Sequence, residues 1–336
     1  MANHNPYFDF LRGLAILMVV GIHTYPGDHE LSGSFTDKIQ LLLINFFNCA
    51  VPLFLAISGF FIARKKLDTW SDRIRFWKKQ IPTVYLPCLV FSMPWLVISC
   101  ISAYLNGQGG YLLKIINYFL CGYSVYYFIA LIIQCYILAP LLTRYNNATA
   151  LIIVIVLSLM SRFIMDYIRY TQDIQLPFIV QGSFPILLLF FYMGIFLSRH
   201  SRDYSIGLPA IMMIVGLSLG FMEMEYIRSI SNQPGVGQKI TLYLFDAGFI
   251  LLCMSKKVES AYRDNILTRR ILFVGEISFG IYFTHVYLIF IGDKFLPHLR
   301  DHWLPLWLFS LLLTIVIIVV IKKISPDFSK KYLGYR

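Results

Sequence analysis

Charge is what this sequence has least of. Lys and Arg number 29 and Asp and Glu 18 in 336 residues, so charged residues are 14% of the chain against 58% hydrophobic ones. A soluble protein of this length needs far more polar surface. No stretch is long and polar enough to form a separate soluble domain. Cysteine is scarce as well. Cys49, Cys88, Cys100, Cys121, Cys135 and Cys253 show no CxxC spacing and fall mainly in apolar segments. That argues against a disulfide framework or a metal cluster and for small buried residues. The chain also lacks a fixed-period repeat, a low-complexity tract and a lipid-attachment motif. Its N-terminus has no basic leader or small-residue cleavage site, and the first apolar run carries Arg12, so a cleaved signal is not expected.

What is present is a series of apolar runs, each about the length that crosses a bilayer as a helix. There are ten: 8–25, 41–62, 81–104, 124–142, 149–167, 178–198, 207–222, 239–255, 271–291 and 303–321. The run 207–222 is short and 124–142 is rich in Tyr. The expected architecture is therefore all-α: a polytopic membrane protein of about ten spans, with residues 1–336 as a single membrane domain.

The formal net charge of +11 follows topology rather than a nucleic-acid partner. With the N-terminus inside, the inside segments are 63–80, 143–148, 199–206, 256–270 and the tail from 322. They hold 20 of the 29 Lys and Arg. This positive-inside bias places both termini in the cytoplasm, where the anionic inner leaflet is partner enough for the surplus. Segment 64–80, RKKLDTWSDRIRFWKKQ, interleaves seven cations with Trp70, Phe76 and Trp77. It reads as an amphipathic helix at the interface, with Pro82 marking a helix start and Pro87 a kink. Outer loops are expected at 24–38, 105–123 and 223–238, long enough to cover an entrance.

Ionisable residues at membrane depth are functional candidates by default. Asp9, Arg12 and His23 lie in the first run. Asp9 and Arg12 are three apart and can pair. Arg12 and His23 are eleven apart, close to three turns, so they share a face about 16 Å apart along the axis. Taken singly, Arg12 can be a snorkelling anchor and His23 an interface residue. In the ninth run, Ser278, Tyr282 and His285 also share a face. His285 is expected at a depth similar to His23, so the two imidazoles can line one polar cavity. Ser58-Gly59 is a small-residue step that permits close helix approach. Asn45, Asn48, Arg162, Asp166 and Asp246 are the other polar groups at depth. Arg162 and Asp166 are spaced to satisfy each other, while Asp246 has no local partner and is a candidate to face the cavity.

Four features occur together in order: FDFLRGLAIL at 8–17, the Arg12–His23 spacing, VPLFLAISGF at 51–60 and ISFGIYFTH at 277–285. In this combination the chain resembles the membrane acyltransferase family 3, the O-acyltransferases of bacterial surface polysaccharides. Length and topology resemble the O-antigen and enterobacterial-common-antigen O-acetyltransferases within it. The resemblance covers essentially the whole chain. It implies a cytoplasmic acetyl-coenzyme A donor, a glycan or lipid-linked glycan acceptor towards the outer side, the bacterial inner membrane as location, and no metal. Residues matching Arg12 and His23 are essential in that family. The family's basic RxxR motif is matched here only by Arg75-x-x-Lys78, with Lys79 beside it. Lys binds phosphate as a point charge without Arg's bidentate fork. The family's WFL step stands here as Tyr126-Tyr127-Phe128.

Acyl transfer to a hydroxyl needs a base and donors for the developing oxyanion. His23 is the expected base, since imidazole titrates near neutrality. Arg12, Arg75, Lys78 and Lys79 are expected to meet the donor's phosphates, with Ser58 beside the donor. His285, Tyr282 and Ser278 are expected to assist at the reacting centre. Two other readings remain open: a transporter or flippase of lipid-linked sugars, and the same enzyme using another donor such as succinyl-coenzyme A. No inverted repeat of the transporter kind is visible.

Overall fold

The computed structural model describes residues 5–25, 35–172, 174, 180, 183–231, 235–300 and 302–335, and among them there is no strand. Parts of the expected outer loops, 26–34 and Asn232–Pro234, lie outside the described residues.

The helices begin where local chemistry says they should. Helix α1 (Pro6–Thr24) is capped by Asn5, whose side chain accepts from the Tyr7 amide, with Pro6 in the first turn. Helices α2 (Phe35–Phe47) and α3 (Ala50–Ile62) follow, forming one long apolar stretch. Helix α4 (Trp70–Leu105) starts at Thr69, whose hydroxyl accepts from the Asp72 amide. It then runs for 36 residues through Pro82, Pro87 and Pro94. The expected interfacial helix and third span are thus one element, and Pro82 starts nothing. Prolines are tolerated at membrane depth because neighbouring groups satisfy the freed carbonyls.

A short helix α5 (Tyr111–Phe119) occupies the expected loop 105–123. Helix α6 (Tyr127–Arg144) comes next, then α7 (Ala148–Thr171), capped by Asn147. Helices α8 (Phe184–Arg199), α9 (Gly207–Ile230) and α10 (Leu242–Met254) follow. The ninth run is broken. Helices α11 (Ile266–Glu276) and α12 (Ser278–Phe295) meet at an angle of 79°. The last long helix is α13 (Trp303–Ile324).

Seven described helices are long and apolar enough to cross a membrane, or eight if the bent pair α11–α12 is one span. In the runs expected at 178–198 and 239–255, of which 178, 179, 181 and 182 lie outside the described residues, the helices described are the shorter α8 and α10, of 16 and 13 residues. At 1.5 Å per residue these reach only about 24 and 20 Å, short of a hydrocarbon core of about 30 Å. Outward faces are apolar in the manner of lipid-facing helices. On α7, Ile153, Val156, Met160, Phe163 and Tyr167 are exposed while Ser158, Arg162 and Asp166 are buried. Polar groups inside and apolar groups outside are the arrangement a bilayer demands.

Glycines set the tight crossings. A Cβ on Gly59 of α3 would lie 2.0 Å from the Phe191 carbonyl oxygen of α8, and one on Gly194 would lie 1.9 Å from that of Ala56. Across the α1–α11 crossing, a Cβ on Gly275 would sit 1.8 Å from the Asp9 carbonyl oxygen and one on Gly13 would sit 2.0 Å from that of Ile271. The small-residue step at Ser58-Gly59 therefore does pack helix against helix. The bend at Ile277 lays α11 along the first turns of α1 and turns the start of α12 towards the molecule's centre. All six cysteines are free.

Candidate active site

One cavity of about 610 Å³ runs beside α1. Asp9 and Arg12 stand at the end nearer the start of α1, and His23 stands at the other, on the same helix face as the spacing required. Asp9 accepts from the Arg12 guanidinium at 2.5 Å, and Arg12 also lies over the Phe61 ring, 5.3 Å from its centroid. His23 is exposed in accessible-surface terms and lines this cavity.

Three further segments close the walls. Ser58 comes from α3, which the Gly59 crossing presses against α8. Gln80 and Thr83 come from α4. Glu276, Ser278 and Tyr282 come from the bend between α11 and α12. The fold thus brings Arg12, His23, Ser58, Ser278 and Tyr282 to one cavity, although they are far apart in sequence. Among the described residues the Ser278 and Ser58 hydroxyls make no hydrogen bond, so both are available to a bound molecule. The Tyr282 hydroxyl, by contrast, donates to the Val125 carbonyl oxygen at 2.7 Å. Its proton is committed, so Tyr282 shapes the wall and is not free to donate to an oxyanion. Tyr127 and Phe128 line the same wall, while Tyr126 is buried and donates to the Phe283 carbonyl oxygen at 3.1 Å.

His285 lies next to the cavity but not in its wall. It is fully buried, its Nδ1 is 2.9 Å from the Ile281 carbonyl oxygen, and its ring centroid is 5.4 Å from that of His23. A carbonyl can only accept, so Nδ1 carries the proton and Nε2 keeps a lone pair. That Nε2 is buried with no hydrogen-bond partner among the described residues. Arg75, Lys78 and Lys79 do not join the site. They line a separate exposed groove with Trp70 and Ile74. At 100° per residue their side of α4 is roughly opposite the side carrying Gln80 and Val84.

Several residues at the His23 end were not singled out for a role by sequence. Arg162 and Arg169 of α7, Asn48 and Gln238 all line the cavity there. Arg162 is held by Asp166 as its spacing implied, with Nε to Oδ2 at 2.8 Å. Asp246 does not reach the cavity. It accepts from the Gln238 amide at 2.5 Å and is otherwise buried, so it supports a wall residue from behind. Lys239 is fully buried and donates to the Asn45 side-chain oxygen at 2.5 Å and the Gly235 and Gly237 carbonyl oxygens at 2.8 and 3.1 Å. It fixes the segment that presents Gln238. A lysine opening an apolar run was the available signal, and it reads equally as an ordinary interface anchor.

Among the described residues, no group of three or more His, Cys, Asp or Glu side chains has the disposition of a metal site.

A many-helix fold holding a polar-ended cavity, with an imidazole at one end and an ion-paired arginine at the other, defines a multi-pass membrane protein with an internal chamber. The chain belongs to the acyltransferase 3 family: the family model described as an acyltransferase domain matches residues 5–323, nearly the whole chain. It is an O-acyltransferase. Compared with curated proteins and with solved structures, the chain finds no significant match.

Proposed function

We propose that this enzyme moves an acetyl group from cytoplasmic acetyl-coenzyme A to a hydroxyl of a bacterial surface polysaccharide or its lipid-linked precursor, of the O-antigen or common-antigen kind. It does so in the inner membrane, with both termini in the cytoplasm. The observation that carries the reading is that Arg12 and His23 stand at opposite ends of one cavity. The positive-inside bias makes the Arg12 end cytoplasmic. The donor enters there and the acceptor enters at the His23 end, where Asn48, Gln238 and Arg169 offer hydrogen bonds to a glycan.

In this mechanism the thioester carbonyl lies beside His23, and Ser278, two turns before His285 on α12, lines the donor's path. His23 takes the proton of the acceptor hydroxyl as its oxygen attacks that carbonyl carbon. Such base catalysis contributes roughly 10²–10⁴-fold. The tetrahedral oxyanion forms at the His23 end, where Asn48 and Gln238 carry amide N–H donors. The C–S bond then breaks, the His23 proton passes to the departing sulfur, and the ester and free coenzyme A leave by opposite ends. His285 takes no part in bond making. Its ring, oriented by the Ile281 bond, packs behind that of His23.

The test is transfer by purified protein in detergent. Given acetyl-coenzyme A and a glycan acceptor, it should release coenzyme A thiol without an ion gradient or membrane potential. Glycan movement in sealed vesicles without any acetylation, across a range of acceptors, would make it a transporter instead. Turnover with succinyl- but not acetyl-coenzyme A would keep the enzyme and change the donor.

A further inference from the structure

A second, smaller cavity of about 310 Å³ opens beyond the Arg12 end of the reaction chamber. Its walls hold Lys65, Arg73, Arg144 and Arg199, with Asp68 as the one carboxylate. These cations come from three separate places: the connection after α3 with the start of α4, the end of α6 and the end of α8. Among the described residues none of the four is in an ion pair. Two are held in place by backbone. Arg73 donates to the Leu67 and Asp68 carbonyl oxygens at 3.0 and 3.3 Å, and Arg199 to those of Thr143 and Ala63 at 2.7 and 3.2 Å. Each keeps further N–H groups for another partner, because a guanidinium has five. Lys65 and Arg144 are exposed and their side chains make no hydrogen bond among the described residues, the Arg144 guanidinium lying over the Tyr145 ring at 5.6 Å.

We infer that this pocket binds the nucleotide phosphates of the acyl-coenzyme A donor. The inference rests on the donor reading above and assigns those phosphates a place. The Arg12 end of the chamber itself is unsuited to them. Asp9 and Glu276 stand there against the single cation Arg12, which Asp9 already holds. Several phosphate charges placed among two carboxylates would be repelled. The small pocket has the opposite balance.

Its position fits a long donor. Two helices carry both cavities at short range: on α6 Tyr136 lines the chamber and Pro140 and Thr143 the pocket, and on α4 Gln80 lines the chamber and Arg73 the pocket. Offsets of four to seven helical residues are about 6–10 Å, so the pocket lies one to two turns outside the chamber on the cytoplasmic side. Between them Trp77 donates to the Tyr136 carbonyl oxygen at 2.9 Å and Phe76 packs on the Tyr136 ring, 5.8 Å between centroids. The pantetheine arm passes along this aromatic seam and delivers the thioester to the chamber. The same chemistry would suit a lipid headgroup phosphate. However, apart from Leu67 and Pro140 every lining residue is polar or charged, leaving little surface for acyl chains.

The experiment measures binding to the purified full-length protein in detergent, with coenzyme A, 3′-dephospho-coenzyme A and pantetheine as probes. Wild type should bind coenzyme A tightest and pantetheine weakest. Lys65→Ala and Arg144→Ala avoid the backbone-holding arginines and should each weaken coenzyme A binding about three- to fivefold. The double variant Lys65→Glu/Arg144→Glu should weaken it more than about tenfold while leaving pantetheine binding as in wild type, which a misfolded variant would not do. Wild-type coenzyme A affinity in the folded double variant would overturn the site. So would a loss seen only with Arg75→Ala and Lys78→Ala, which would place the phosphates on the exposed groove of α4. Competition by phosphatidylglycerol in nanodiscs, with no preference among the three soluble probes, would make it a lipid site. Wild type that binds no coenzyme A at all would instead sink the donor reading.

Discussion

His285 stands behind His23, with the two ring centroids 5.4 Å apart and only His23 reaching the cavity. Two histidines at matched depth had suggested two wall residues. The structure makes one of them the wall and the other its backing, and the division assigns different consequences to their loss.

Replacing His23 by Ala should abolish transfer, by about 10²–10⁴-fold, while the protein still accumulates and binds donor. Replacing His285 by Phe preserves a ring of similar bulk but removes the Nδ1 bond to Ile281 that orients the ring behind His23. Turnover should fall with donor affinity unchanged, and by less than in His23→Ala. Steady-state kinetics on both variants checks this. Wild-type turnover in His23→Ala would remove the base, and wild-type turnover in His285→Phe would reduce that residue to packing.

Tyr282 gives the second prediction. Because its hydroxyl donates to Val125, Tyr282→Phe removes one buried hydrogen bond, at about 0.5–1.5 kcal/mol. Thermal unfolding should shift downward while residual transfer per folded molecule stays near wild type. If transfer vanished with stability intact, Tyr282 would be acting at the reacting atoms.

The buried pair on α7 offers a third. Asp166→Ala leaves Arg162 as an uncompensated buried charge, a loss of about 3–5 kcal/mol. Converting both residues to Leu should restore most of the melting temperature, because two apolar side chains need no partner. It should not restore affinity for the glycan, since Arg162 lines the acceptor end. Melting curves and acceptor KM, measured on the same preparations, separate the two effects.

A fourth prediction concerns the crossings. Gly59→Leu and Gly275→Ala place a side chain within about 2 Å of a carbonyl oxygen on the facing helix and should deplete folded protein in size-exclusion profiles. A methyl added at Gly109 meets nothing within 4 Å, so Gly109→Ala should elute as wild type.

Orientation is checked by labelling. On a background of silent native cysteines, Cys placed at Lys66 or Lys330 should resist an impermeant thiol reagent in intact cells. Reaction from outside at both positions would invert the topology.

Much of this molecule is written locally. Apolar runs of bilayer length determine helices, because backbone groups without water must bond within their own segment. The Asp9–Arg12 and Arg162–Asp166 pairs follow from spacings of three and four on a helix. Arg12 and His23 share a face for the same reason, and the Gly59 step marks a close crossing. Local pattern says less where a helix is interrupted or continued. The pattern alone made α4 two elements and α11–α12 one. Continuation through Pro82 depends on neighbours that satisfy the freed carbonyls, and the 79° bend depends on α11 lying against α1 through Gly275 and Gly13.

Readable along the chain, then, are a helical membrane protein, its likeness to acyltransferases, and Arg12 and His23 on one face of its first helix. Periodicity and the ordered motifs act within single segments and need nothing beyond them. Packing between helices is what puts His285 behind His23, spends the Tyr282 proton on Val125, turns Arg75 and Lys78 away from the chamber, and gathers Lys65, Arg73, Arg144 and Arg199 around one pocket. Each of these depends on which face of one helix meets another. That is set by the packing of glycines and aromatic rings between segments distant in the chain, which no single segment encodes.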